Sequence, residues 1–147
     1  MEYKKILECL KQKKVLLEKI MEMSSQMESL SKLPHPNPGT LPQEREVYID
    51  RLKKCNQLID SHVNRLSSSG QTRVNYALSS NLKKTDCTPE EFELSECGAA
   101  CRCLLRDIVA TDQVSMERFR EESQRLQQLV NQSRQKQNGS MFYNSAR

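Results

Sequence analysis

Six cysteines are the first candidates for chemistry in this chain of 147 residues. Cys97, Cys101 and Cys103 are close enough in sequence to suggest a metal cluster. Helical geometry argues against one, because Cys97 and Cys101 share a helix face whereas Cys103 is rotated by about 200° from Cys101. The two histidines, His35 and His62, fall in other segments. We therefore expect no bound metal and interpret the thiols as small apolar groups in a thin helical core.

The sequence offers no recognisable catalytic arrangement. It contains neither a Gly-rich phosphate loop nor a Gly-x-Ser-x-Gly turn, and Asp107 and Asp112 have no obvious partner in the helix where they are predicted to lie. We expect no enzymatic activity and no cofactor. The net charge of +4 is mild, and basic and acidic residues are interleaved, so nucleic-acid binding is not favoured. A binding or scaffold function remains.

Composition favours an all-α protein. The chain is 36% hydrophobic, with four glycines and no tryptophan, which argues against a β-sandwich, a β-barrel and an α/β core. Neither the apolar region of a signal peptide nor a stretch of about 20 apolar residues is present. We therefore expect a cytosolic protein that is not inserted in a membrane and whose cysteines are reduced.

Apolar residues at three- and four-residue steps predict the helices that carry the cysteines and the other candidate residues. The first runs over residues 2–32, and the three prolines that follow it end it. The second runs over residues 41–67, with Thr40 as a candidate N-cap. Residues 71–87 fit either a short helix or an ordered loop.

A strong start signal precedes the last helix. In Thr88-Pro-Glu-Glu91 the threonine is the predicted N-cap and Glu91 completes a capping box. The helix is predicted over 89–136, after which an Asn-Gly pair ends it. The sequence thus predicts one domain, residues 1–137, folded as an elongated antiparallel bundle of three long helices, followed by a flexible tail, 138–147.

The C-terminal half of the last helix is the strongest candidate for a binding surface. It is polar around a few apolar anchors, which are Met116, Phe119, Leu126, Leu129 and Val130. Any part of this stripe that the other helices leave uncovered would be a docking face for another helix. Two alternatives stay open: the stripe pairs with the first helix, or it pairs with a second copy of the chain in a coiled-coil homodimer.

Three stretches of sequence are similar to a known family. They are the opening amphipathic segment Met1–Ile20, the apolar-then-acidic step Leu104–Gln113, and the polar run Arg118–Lys136, which closes on Phe142 and Tyr143. With the order of helices and the chain length, they make the chain resemble the flagellar type III export chaperones of the FlgN/FliT group. The resemblance covers most of the chain.

This resemblance implies a cytoplasmic antiparallel helical bundle that binds the C-terminal helical segment of a hook–filament junction protein or the filament cap protein. Such a chaperone prevents premature assembly and delivers its substrate to the flagellar export gate and its ATPase. The family's binding surface maps onto Ile108, Val109, Met116, Phe119, Leu126, Leu129 and Val130. The tyrosine that the family uses at the export gate corresponds to Tyr143. The alternative is a small coiled-coil scaffold or tether subunit with no secretion role.

Overall fold

The computed structural model describes the backbone of residues 2–145 and the side chains of residues 2–139. Over these residues the chain is all-helical, which confirms the predicted class, and it has no strand. The four helices are α1 (Glu2–Ser31), α2 (Leu41–Asn64), α3 (Ser68–Ser79) and α4 (Pro89–Ser145), with a 3₁₀ turn at Lys84–Asp86. None of the described helices is both long and apolar enough to cross a membrane.

The proline-rich loop separates α1 from α2, as predicted. Gly39 adopts a φ of 63°, a left-handed conformation that favours glycine, and its N–H donates to Asn37 Oδ1 at 2.9 Å. Thr40 occupies the N-cap position of α2, but its side chain makes no capping hydrogen bond to the backbone. Its hydroxyl instead donates to Glu44 Oε1 at 3.3 Å.

The boundary between α2 and α3 differs from the prediction. α2 ends at Asn64, and Ser67 opens α3 by accepting a hydrogen bond from the Gly70 N–H at 3.2 Å. A serine competes well for an N-cap position, so the segment Ser67–Gly70 starts a helix after the end of α2. The short helix that fits part of residues 71–87 is therefore present as α3, and it begins earlier in the chain.

The predicted capping box opens α4. The Glu91 N–H donates to Thr88 Oγ1 at 3.2 Å, and the Thr88 N–H donates to Glu91 Oε1 at 3.3 Å. The Glu91 carboxylate is also paired with Arg73 of α3 at 2.6 Å. Burial raises the pKa of Glu91, but hydrogen bonds from Arg73 and Thr88 outweigh burial and hold the pKa below its ordinary value.

The C-terminal end of α4 lies further along the chain than the sequence indicates. The backbone remains helical through Asn138 and Gly139 to Ser145, instead of ending near Lys136. A single glycine costs a helix only about 1 kcal/mol relative to alanine, and Gly139 does not adopt a positive φ. The Asn-Gly pair therefore weakens the helix locally without terminating it.

The helix α1 packs against both α2 and α4, whereas direct packing between α2 and α4 is slight. α2 runs antiparallel to α1, because His62 lies beside Glu2 at 3.1 Å and Arg45 beside Ser24 at 3.1 Å. α4 runs parallel to α1. The thiol of Cys101 is 3.9 Å from the carbonyl oxygen of Leu10, and the guanidinium of Arg118 is 3.2 Å from the hydroxyl of Ser31.

The core lies along the two faces of α1 that meet its neighbours. Its least exposed side chains include Ile6, Leu17 and Leu94. One polar contact crosses this core: Arg45 Nη1 of α2 donates to Asp112 Oδ2 of α4 at 2.6 Å and to the Ser24 hydroxyl of α1 at 3.1 Å. Arg45 thus joins three helices, and it is the partner of Asp112 that the sequence does not reveal.

The short helix α3 packs on the N-terminal part of α4, and Gly98 allows the close approach. A Cβ atom at Gly98 would lie 2.7 Å from the backbone oxygen of Leu78. Arg102 donates to the same oxygen and to Asn81 Oδ1, while the Ser95 hydroxyl donates to the carbonyl of Ser80. Side chains of α4 therefore satisfy carbonyl groups that the end of α3 leaves unpaired.

The close contact at Gly98 leads to a prediction about stability. We expect Gly98→Ala to destabilise the protein by about 1–3 kcal/mol, the usual cost of overpacking, because the obstructing atom belongs to the backbone. The matched control is Gly139→Ala, which has open space around it and should be neutral or stabilising by up to about 1 kcal/mol. Urea unfolding of both variants measures the difference. Equal effects would contradict the packing described for α3 and α4.

A second prediction concerns the pH dependence of the α4 cap. Because the folded-state pKa of Glu91 is lowered, its contribution to stability is present above the pKa of an unfolded glutamate, about 4.3, and is lost as the pH falls through the folded value. Glu91→Gln should cost about 1 kcal/mol at pH 7, and less as the pH falls below 4. Thermal melts from pH 3 to 7 test this. Glu93→Gln, at an exposed neighbouring position, should show no such convergence with the parent protein.

Candidate protein-binding surface

The helix α4 continues well beyond the end of α1. The last contacts that tie α4 to the α1 side of the fold involve Ser31 and the proline loop. The Arg118 guanidinium contacts Ser31, the Glu122 carboxylate lies 3.8 Å from the His35 imidazole, and the Arg125 guanidinium lies 3.1 Å from it. From Ser123 to Gly139, every described side chain is exposed. These 17 residues correspond to about 25 Å of helix, and apart from the contact of Arg125 with His35 no other described element covers them.

The apolar side chains of this segment continue the core-facing side of α4. Ile108 is 6% exposed and belongs to the core. Leu126 follows about five helical turns later and therefore lies on the same face, with Val130 and Leu129 within about 60° of it on either side. Leu126 and Leu129 are each 49% exposed. We call Leu126, Leu129 and Val130 the distal stripe.

The structure divides the seven residues of the predicted binding surface into four groups. Ile108 is buried against the core, so its side chain is not available to a partner. Phe119 is half-buried close to the end of α1, and the three residues of the distal stripe are exposed. Val109 and Met116 are exposed too, but they lie about 80–100° from the core-facing side of α4.

Val109 and Met116 have an apolar neighbour that is not part of the predicted binding surface. Leu105 is 48% exposed, and its position along α4 places it on the same flank, within about 40° of Val109 and Met116. The spacing of 105, 109 and 116 is a helical repeat that could have identified this flank. The apolar surface of α4 therefore has two parts, a lateral flank beside the packed half and the distal stripe beyond it.

The cysteines are distributed over the fold. Cys55 and Cys101 are buried in the core cluster, whereas Cys103 is exposed. Burial raises the pKa of the Cys101 thiol to about 11, and burial also raises the pKa of Cys55. A thiol with a raised pKa is a poor nucleophile and a poor metal ligand. Among the described residues, no group of three potential metal ligands converges.

Tyr143, which the family resemblance links to the export gate, lies outside the residues whose side chains are described. Comparison of the chain with protein-family models, with curated proteins and with solved structures finds no match. The exposed surface of α4 is therefore the feature from which a function can be proposed.

Exposure of the distal stripe predicts that its side chains contribute little to folding. Leu126→Ala and Leu129→Ala should each change the free energy of unfolding by no more than about 0.5 kcal/mol. Leu17→Ala, at a position 1% exposed, should cost about 2–5 kcal/mol. Thermal and urea unfolding of the three variants provide the comparison. Destabilisation by the distal changes as large as that of Leu17→Ala would show that the stripe is part of a core.

Proposed function

We propose that this chain is a cytosolic flagellar export chaperone that resembles the FlgN/FliT group. It binds the C-terminal helical segment of a hook–filament junction protein or of the filament cap protein, keeps that segment from assembling prematurely, and delivers it to the export gate and its ATPase. The observation that carries the proposal is the extension of the core-facing side of α4 past the end of α1, which leaves the distal stripe exposed.

A contiguous apolar stripe on an otherwise polar helix is typical of a protein-binding site. The distal stripe is at the place where α1 would lie if α1 were longer. A bound helix would therefore occupy that place, continue the line of α1 and pack its apolar side on α4. Helix-in-groove recognition uses anchors at this three- and four-residue spacing. About 25 Å of uncovered α4 accommodates a partner helix of roughly 17 residues.

Exposed side chains near the end of α1 extend the proposed binding surface beyond the distal stripe. Leu33 is 53% exposed, and it belongs to the loop whose His35 contacts Glu122 and Arg125 of α4. Phe119 is half-buried on the adjoining part of α4. The end of a docked helix would therefore meet apolar groups from both α4 and the proline loop.

The proposal also includes an elongated antiparallel bundle of three long helices as the framework for delivery. The packing of α1 with the antiparallel α2 and with the parallel α4 supports such a framework. The role of Tyr143 at the export gate rests on the family resemblance alone. Removing the tyrosine side chain should spare substrate binding and reduce export.

Binding of a substrate segment tests the proposal directly. An isolated C-terminal peptide of a hook–filament junction or filament cap protein should bind the full chain with 1:1 stoichiometry. Leu126→Ala and Leu129→Ala should each weaken binding by about 1–3 kcal/mol, because an interface concentrates its energy in a few apolar anchors. Isothermal titration calorimetry with each variant measures the loss.

The control for this experiment is Leu58→Ala. Leu58 is 50% exposed on α2, so it matches the distal leucines in exposure but lies away from the distal stripe. The Leu58→Ala variant should bind the peptide with the same affinity as the parent chain. A chain that binds none of these peptides, and that is stable only together with permanent partners, would instead be a scaffold or tether subunit.

A further inference from the structure

The positive charge of this protein is concentrated in the segment that carries the distal stripe. All 19 acidic residues lie at or before Glu122, and residues 1–122 contain the same number of basic residues. The charged side chains after Glu122 are Arg125, Arg134, Lys136 and Arg147, which account for the whole net charge of +4. The charge is thus a local property of the C-terminal segment.

Two of these cations have no acidic partner available on their own helix. Arg125 pairs with Glu122 at 2.5 Å. Arg134 and Lys136 are exposed, and the nearest acidic residue along α4 is Glu122, about 18 Å before Arg134. The three- and four-residue pairing that neutralises charges elsewhere on a helix therefore cannot occur at Arg134 and Lys136.

The basic side chains lie on both edges of the distal stripe. An α-helix turns by about 100° per residue. Relative to Leu126, Arg134 is therefore rotated about the helix axis by about 80° to one side, and Lys136 by about 80° to the other. The opposite side of the helix carries Gln128 and Gln135, which are uncharged. Charges needed only for solubility would be expected on that outer side. The position of Arg134 and Lys136 beside the apolar stripe therefore indicates a role at the interface.

We infer that the distal stripe binds an amphipathic helix whose apolar face is flanked by acidic side chains. The inference rests on the proposed function and specifies the chemistry of its substrate segment. In paired helices, residues that flank the apolar seam form ion pairs across the interface and decide partner choice. Arg134 and Lys136 occupy flanking positions of this kind, and Glu or Asp on the partner supplies the complementary charge.

Charge also argues against a parallel pairing with a second copy of the chain. Two distal segments packed in parallel would bring Arg134 and Lys136 of each chain near the same residues of the other, with no acidic residue after Glu122 to pair with them. Like charges across such a seam disfavour the wrong partner. A nucleic acid would use the cations, but it would leave the apolar stripe between them without a partner.

The inference is tested with three synthetic helical peptides that share one apolar seam and differ in their flanking residues, which are Glu, Gln or Lys. The full chain should bind the Glu-flanked peptide about three- to tenfold more tightly than the Gln-flanked one, the range expected for two exposed ion pairs. The Lys-flanked peptide should bind most weakly. Raising the salt concentration should reduce the difference between the peptides.

Two variants with the same change in net charge show whether position matters. Arg134→Gln with Lys136→Gln removes two positive charges from the edges of the stripe. Gln128→Glu with Gln135→Glu adds two negative charges on the outer side. The first pair should abolish the preference for the Glu-flanked peptide, whereas the second should leave most of it. All four positions are exposed, and thermal melts check that each variant remains folded.

Each alternative outcome has a distinct meaning. Equal affinity for all three peptides, lost on Leu126→Ala, would overturn the acidic-partner inference and leave the proposed function in place. If the chain binds none of the three peptides and no export-substrate segment, both the acidic-partner inference and the proposed function are overturned. A dimer in sedimentation analysis that Leu129→Ala dissociates would assign the stripe to a second copy. Competition by a single-stranded oligonucleotide, undiminished by Leu126→Ala, would assign the basic edges to nucleic acid.

Discussion

The length of α1 limits how much of α4 can be buried. α2 and α4 both pack on α1 and hardly on each other. Each of them therefore buries its apolar side mainly against α1. α1 has 30 residues and α4 has 57. Since the two helices run parallel and start at nearly the same level, their mismatch falls entirely at the C-terminal end of α4, where an apolar stripe is left without a neighbour.

Polar contacts set the register of this arrangement. Arg45 connects Ser24 of α1 with Asp112 of α4, yet Arg45 Nε and Asp112 Oδ1 are buried without a hydrogen-bond partner among the described residues. Burying an ion pair whose remaining polar atoms are unsatisfied costs much of what the charge attraction contributes. The pair is therefore better understood as fixing how α2 and α4 sit on α1 than as a source of net stability.

The two ends of α4 have opposite characters. Its first turns are held by the capping box, by Arg73 on Glu91, and by the close approach of Leu78 at Gly98. Its distal part has no such contacts, is uncovered, and carries the unpaired cations. A segment that is already helical loses less conformational entropy on binding a partner than a disordered segment does.

The local signals in the sequence identify much of the secondary structure. The prolines and Gly39 interrupt the helices, Thr88 and Glu91 form the predicted cap, and the apolar periodicity of α1 and α4 is correctly helical. These features depend on residues within one or two turns of each other, so no knowledge of the fold is needed. Ser67 and Gly139 are the exceptions, because a serine can start as well as end a helix and a lone glycine only weakens one.

The division between core and surface on α4 is decided by tertiary structure. Ile108 and Leu126 lie on the same helix face and look alike in the sequence, but only Ile108 has α1 opposite it. The partner of Asp112 and the need for a glycine at position 98 likewise depend on residues 67 and 20 positions away. Periodicity reports which face of a helix is apolar, whereas coverage of that face depends on the length, direction and register of the neighbouring helices.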